Sequence, residues 1–127
     1  MTEADTIHLD TSFLIRALLP GTPESRRLED WLGERRSMVM SAVAWAEFLA
    51  GPLDEATFRV AGRLVGVPAV VTGVHAERAA RLFNMTGRRR GSLSDCLIAS
   101  AAIEGDAPLA TADDSFTRFA EAGLVVA

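Results

Sequence analysis

Four carboxylates in this 127-residue chain stand where carboxylates are uncommon. Asp10 closes the segment 6–10 (TIHLD), a candidate strand, so it lies at the carboxyl edge where open α/β sheets place their ligands. The competing role for it is the N-cap of a helix opened by Thr11-Ser12. Glu47 is the only charged residue between Met38 and Leu49, and its helical neighbours Val43, Ala44 and Ala50 are apolar. A carboxylate in that setting reaches solvent at a cleft or seam, changes protonation, or finds a cation. Asp95 is followed by Ile98, Ala99 and Ala102 at +3, +4 and +7, which puts it on the apolar stripe of its helix. An acid in a first turn is also favoured by the helix dipole. Asp113 and Asp114 follow the candidate strand end Leu109-Ala110-Thr111, and one of them can cap the last helix. Acids at two strand ends and on the apolar faces of two helices can converge on one sheet edge, where their like charges require cations. Hard oxygen ligands with no His or Cys among them suit Mg²⁺ or Mn²⁺ rather than zinc. Such an ion orients and ionises a water for in-line attack on phosphorus, so the reaction class is phosphodiester hydrolysis.

The elements that must position these acids follow from periodicity. Strands are expected over residues 6–10, 37–40, 67–72, 108–110 and 124–126, and helices over 13–18, 24–36, 42–50, 56–65, 75–85, 94–104 and 114–122. Leu28, Trp31 and Leu32 at i, i+3, i+4 make 24–36 a one-faced surface helix, Gly51-Pro52 closes 42–50, and Gly105 stops 94–104. Short strands alternating with helices define an α/β fold with a parallel sheet. With no repeat, linker or low-complexity tract, residues 1–127 are expected to form one domain.

Composition removes several chemistries. All 13 basic residues are Arg and there is no Tyr, which excludes lysine Schiff bases, lysine-bearing phosphate loops and tyrosine nucleophiles. The lone Cys96 excludes an intramolecular disulfide and a multi-cysteine zinc site. His8 and His75 are too far apart in sequence for an HExxH-type cluster, and Ser12, Ser94 and Ser115 have no convincing His partner for a Ser-His-Asp hydrolase. No stretch approaches the ~18 apolar residues of a membrane span, and Met1–Asp5 is acidic, so a cytoplasmic protein is expected.

The segments Leu9-Asp10-Thr11-Ser12, Ser41-Ala42-Val43-Ala44-Trp45-Ala46-Glu47-Phe48-Leu49-Ala50-Gly51, Asp95-Cys96-Leu97-Ile98-Ala99-Ser100-Ala101-Ala102 with Gly105, and Leu109-Ala110-Thr111-Ala112-Asp113 with Phe116 resemble the four motifs of PIN-domain nucleases. The form is that of the small VapC-type toxins of toxin–antitoxin pairs, and the match runs in order from residue 6 to the end. The resemblance implies a three-layer sandwich around a short-stranded, mainly parallel sheet. It implies Asp10, Glu47, Asp95 and Asp113 as metal-binding catalytic carboxylates, with Thr111 and Ser12 as supporting hydroxyls. It implies further a Mg²⁺- or Mn²⁺-dependent endoribonuclease, a homodimer, and a small antitoxin that lays an apolar helix in a groove and sets an Arg or Lys near the acids. Ser115 departs from the pattern, since many relatives carry a further Asp before the phenylalanine, which makes Asp114 the candidate substitute. The alternatives are an RNA-processing PIN nuclease, a non-catalytic module that binds RNA or protein, and a phosphatase-like hydrolase with Asp10 as nucleophile. The phosphatase reading lacks the second acid, where Ser12 stands, and the Lys that its chemistry needs.

The net charge of −4 conceals a segregation: residues 56–94 carry seven Arg and one acid, +6, and the remainder carries −10. Arg88, Arg89 and Arg90 between Gly87 and Gly91 form a basic loop shortly before Asp95, suited to RNA phosphates or to plain solvation. Trp31 and Trp45 are expected in packing rather than in base stacking, and His8, inside the first strand, as a packed histidine. If the loop tracks RNA, replacing Arg88, Arg89 and Arg90 together by Ala weakens RNA binding. It also reduces the slope of log affinity against log salt by about 2, at roughly 0.7 per lost phosphate contact on a single strand. A salt titration by fluorescence anisotropy reads this, and an unchanged slope contradicts it.

Overall fold

The chain folds around a strand of four residues, Thr6–Leu9 (β1), flanked on both sides by parallel neighbours. The computed structural model describes residues 5–88 and 92–127. Elements run β1, Thr11–Ala17 (α1), Pro23–Gly33 (α2), Ser37–Val39 (β2), Ala42–Ala50 (α3), Glu55–Val65 (α4), Gly73–Met85 (α5), Leu93–Glu104 (α6), Leu109–Ala110 (β3) and a 3-10 helix, Asp114–Ala122. The sheet order is β2-β1-β3, with Thr6 opposite Ser37, Ile7 opposite Met38, and Leu9 opposite Ala110. The chain leaves β1 to one side for β2 and returns on the other as β3, so all three strands point their carboxyl ends at one edge. This is the α/β sandwich that the strand and helix alternation predicts.

Ile7 and Leu9 are wholly buried, as are Phe13 and Leu14 of α1, Met40, Ile98 of α6 and Phe116 and Phe119 of the 3-10 helix. Each such side chain contributes roughly 1.5–3 kcal/mol of transfer free energy. α1 packs on α2 and α3, while α6 packs on α3 and α5. Side-chain caps set most helix starts: Thr22 accepts from Ser25, Ser41 from Ala44, and Asp54 from Thr57. His75 closes a capping box at the start of α5, where its Nδ1 accepts from the Thr72 backbone N–H at 2.9 Å.

Two expected strands are reduced to single bridges. Over 67–72 only Ala69 pairs, bridging Ser41, because Pro68 has no N–H to give and Val67 and Val70 are turned to solvent. Over 124–126 only Val126 bridges, to Leu109. The helix expected over 114–122 is a 3-10 helix, and its apolar spacing explains why. Phe116, Phe119 and Ala122 repeat every third residue, and three residues per turn bring all of them onto the core.

His8 lies within β1 and is 93% buried, so its packed role holds. Gly105 permits this packing, since a Cβ there would stand 3.2 Å from His8 Nε2 and 3.2 Å from the Ala101 carbonyl oxygen. Trp31 stacks on Phe13, and Trp45 on Phe48, as packing residues do. Burial, and secondarily the nearby His75, lower the His8 pKa from 6.5 to about 4. Below pH 6.5 the unfolded chain takes up a proton that the folded chain refuses, so stability falls as pH drops from 6.5 towards 4. The full difference is about 3 kcal/mol. Urea unfolding should show the wild type losing about 2–3 kcal/mol more than His8→Val between pH 7 and 4. Parallel losses in the two proteins would place the acid sensitivity elsewhere.

Candidate metal and nucleic-acid site

Asp10 leaves β1 at the carboxyl edge and caps α1, so the two roles open to it in the sequence are compatible. It is 96% buried, and an ionised carboxylate at that depth is strongly unfavourable unless its oxygens are satisfied. Oδ1 accepts from the Thr11 backbone N–H at 2.8 Å. Oδ2 accepts from the hydroxyls of Ser12 at 2.7 Å and Thr111 at 2.8 Å. Both hydroxyls are oriented from behind. Ser12 Oγ accepts from the Ala112 N–H at 3.1 Å, and Thr111 Oγ1 from the Asp113 N–H at 3.0 Å. The end of β1 and the segment after β3 are thus cross-linked through one carboxylate, with Ser12 and Thr111 in contact at 3.2 Å.

Asp113 follows directly and caps the 3-10 helix, with Oδ1 accepting from the Ser115 N–H at 2.9 Å. Asp114 is exposed on the first turn of that helix. Glu47 is exposed on α3, but its carboxylate is held: Oε2 accepts from Ser94 Oγ at 3.1 Å, and Oε1 lies 3.4 Å from Thr11 Oγ1. Thr11 donates more closely to the Ala44 carbonyl, at 2.8 Å, and so docks α1 on α3. Glu47 therefore bridges the neighbour of Asp10 to the neighbour of Asp95. Asp95, in the first turn of α6, pairs with Arg118 across 3.4 Å. Burial raises the pKa of Asp95, Arg118 pulls it down, and the charges of Asp10 and Asp113 push it up again. The mutual repulsion expected of acids gathered at one edge is thus felt at Asp95.

Among the described residues, no three His, Cys, Asp or Glu side chains stand close enough as arranged to hold a metal ion. The donor set nonetheless fits a hard divalent cation, since it consists of carboxylate and hydroxyl oxygens with Cys96 buried away on α6. Three participants escaped the sequence reading in this role. Thr11 and Ser94 are each adjacent to an acid, which was the available signal. Arg118 is the only base after residue 90, a solitary cation beside Phe116 and close in sequence to Asp113. Arg88 donates from Nε to Asn84 Oδ1 at 2.9 Å, beyond the end of α5. Arg89 and Arg90 lie outside the described residues.

An apolar groove runs between the end of α1 and the end of α3, lined by Ile15, Leu18, Leu19, Phe48, Pro52 and Leu53. Ile15 and Leu19 are 49% and 52% exposed there. No helix of the described residues is long and apolar enough to cross a membrane.

The family model of the PIN domain matches residues 7–122, and the chain belongs to that family. No curated protein matches it in sequence. Among solved structures, the chain is similar to VapBC2 from Rickettsia felis bound to a DNA fragment from its promoter, with a TM-score of 0.74, 18% identity, and 96% and 97% of the two chains covered. It is also similar to VapC20 of Mycobacterium tuberculosis, described as a sarcin-ricin loop cleaving toxin, with a TM-score of 0.67, 20% identity, and 95% and 98% covered. A toxin–antitoxin complex from Klebsiella pneumoniae matches with a TM-score of 0.68, 22% identity, and 95% and 96% covered. At these identities the likeness is one of fold.

Because Thr111 donates to Asp10 and accepts from Asp113, Thr111→Val removes both bonds at nearly constant volume. The expected cost is about 1.5–3 kcal/mol in urea unfolding, the range for hydrogen bonds to a charged group. A change below about 0.5 kcal/mol, the ordinary scatter of surface substitutions, would deny the hydroxyl its role.

Proposed function

We propose that this chain is a divalent-metal-dependent endoribonuclease that acts as the toxin of a toxin–antitoxin pair. The observation that carries the reading is that Asp10 and Asp113 act electrostatically on Asp95, while Ser94 and Thr11 link Glu47 to the neighbours of Asp95 and Asp10. Membership of the PIN family and the fold shared with toxin–antitoxin proteins support it. Asp10, Glu47, Asp95 and Asp113 would hold Mg²⁺ or Mn²⁺, which when bound supplies charge stabilisation at phosphorus and an ionised water. Ser12 and Thr111 hold and aim the Asp10 carboxylate. Ser94 orients the Glu47 carboxylate, with a longer contact from Thr11. The substrate proposed is RNA, whose phosphates the Arg-rich stretch 56–94 would flank once cations offset the acids.

The groove between α1 and α3 is the proposed seat of the antitoxin, since an apolar helix face fits a trough lined by Ile15, Leu19 and Phe48. A homodimer in the cytoplasm completes the reading. The competing reading is a PIN module that binds RNA without cutting it, favoured by the contact between Arg118 and Asp95. Cleavage separates the two. Purified protein with structured RNA and Mg²⁺ or Mn²⁺ should produce internal cuts that EDTA abolishes. Asp10→Asn and Asp95→Asn should each cut at least about a hundredfold more slowly, since the ion supplies several kcal/mol and 1.36 kcal/mol is a factor of ten. Equal cutting by wild type and variants would end the assignment.

A further inference from the structure

Arg118 pairs with Asp95 of the candidate centre, and its surroundings do not fully satisfy it. It comes from the 3-10 helix, its side chain is 14% exposed, and the guanidinium lies 4.2 Å over the ring of Phe119. Nη1 donates to the Ser115 carbonyl. Nη2 reaches Asp95 Oδ2 at 3.4 Å, long for a charge-assisted bond, which ordinarily spans about 2.7–2.9 Å. Nε is buried and has no hydrogen-bond partner. A buried donor left unsatisfied costs more than the net gain of a typical made bond. The side chain is therefore anchored by its ring contact and by Ser115, while its grip on Asp95 is weak.

We propose that Arg118 is an internal competitor for divalent metal: it occupies an oxygen of Asp95 in the metal-free chain and is displaced when the ion binds, so that it sets the metal affinity of the centre. This rests on the reading of the acids as a metal site. The competition is electrostatic and steric, because a guanidinium on Asp95 Oδ2 repels an incoming cation and fills part of the space around that oxygen. The contact is also weak enough to yield.

The test is isothermal titration of the full chain with Mn²⁺. Arg118→Met keeps an unbranched stem against Phe119 and removes the charge, and it should tighten Mn²⁺ binding about tenfold, the equivalent of one charge-assisted contact. Arg118→Lys should stay near the wild type. A residue that only supported the fold would weaken metal binding when replaced, so unchanged or weaker binding by Arg118→Met overturns the proposal. If Asp10→Asn abolishes Mn²⁺ binding while Arg118→Met fails to tighten it, the metal site stands and only the role of Arg118 falls. If the wild type binds no Mn²⁺, the metal reading itself falls and takes the proposal with it. A second readout needs no neutral variant. The Arg118 Nε–H resonance of the wild type, assigned by its loss in Arg118→Lys, should move as Mg²⁺ is added, and a stationary resonance at saturation overturns displacement.

Discussion

The buried carboxylate of Asp10 is the constraint on which the rest of the site depends. At the end of the central strand, its oxygens are satisfied by one backbone N–H and two hydroxyls. Those hydroxyls are oriented in turn by backbone groups of the segment after β3. The arrangement forces α1 to start at Thr11, brings the turn after β3 against it, and places Asp113 beside it. A chain that buries this acid has little freedom left in how it arranges the edge around it.

The four acids meet that edge in different ways, and the difference follows from what holds each one. Asp10 and Asp113 act as helix caps, so their position is fixed by backbone. Glu47 is exposed and secured only by Ser94 and a longer contact with Thr11. At Asp95 burial and two neighbouring acids oppose the charge, and the Arg118 guanidinium supports it. Arg118 offsets part of the negative charge here through its contact with Asp95. A divalent ion would relieve the same repulsion more completely.

Much of this was legible in the sequence. The alternation of short apolar runs with amphipathic helices specified a parallel sheet, and Asp10, Glu47, Asp95 and Asp113 were visible because each broke an apolar pattern. What was not legible has physical causes. Val67-Pro68-Ala69-Val70-Val71 has strand composition, but sheet membership depends on backbone partners, and Pro68 cannot supply one. The 3-10 geometry of 114–122 was hidden because a spacing of three is shared by both kinds of helix over a single turn. Hydroxyl partners such as Thr11 and Ser94 carry no periodic signal, and the approach of Arg118 to Asp95 spans 23 residues of sequence, which only tertiary packing brings together. The capping role of His75 depended on a local geometry that its sequence position left open.

The central claim is that the acidic edge is a divalent-metal site. The most direct measurement is anomalous diffraction at the manganese edge from crystals of the full chain soaked in Mn²⁺. The account predicts an anomalous peak within ligand distance, about 2.0–2.4 Å, of carboxylate oxygens of Asp10 and at least one of Asp95 and Asp113. No peak at the edge under saturating Mn²⁺, or a peak held by other residues, would contradict it.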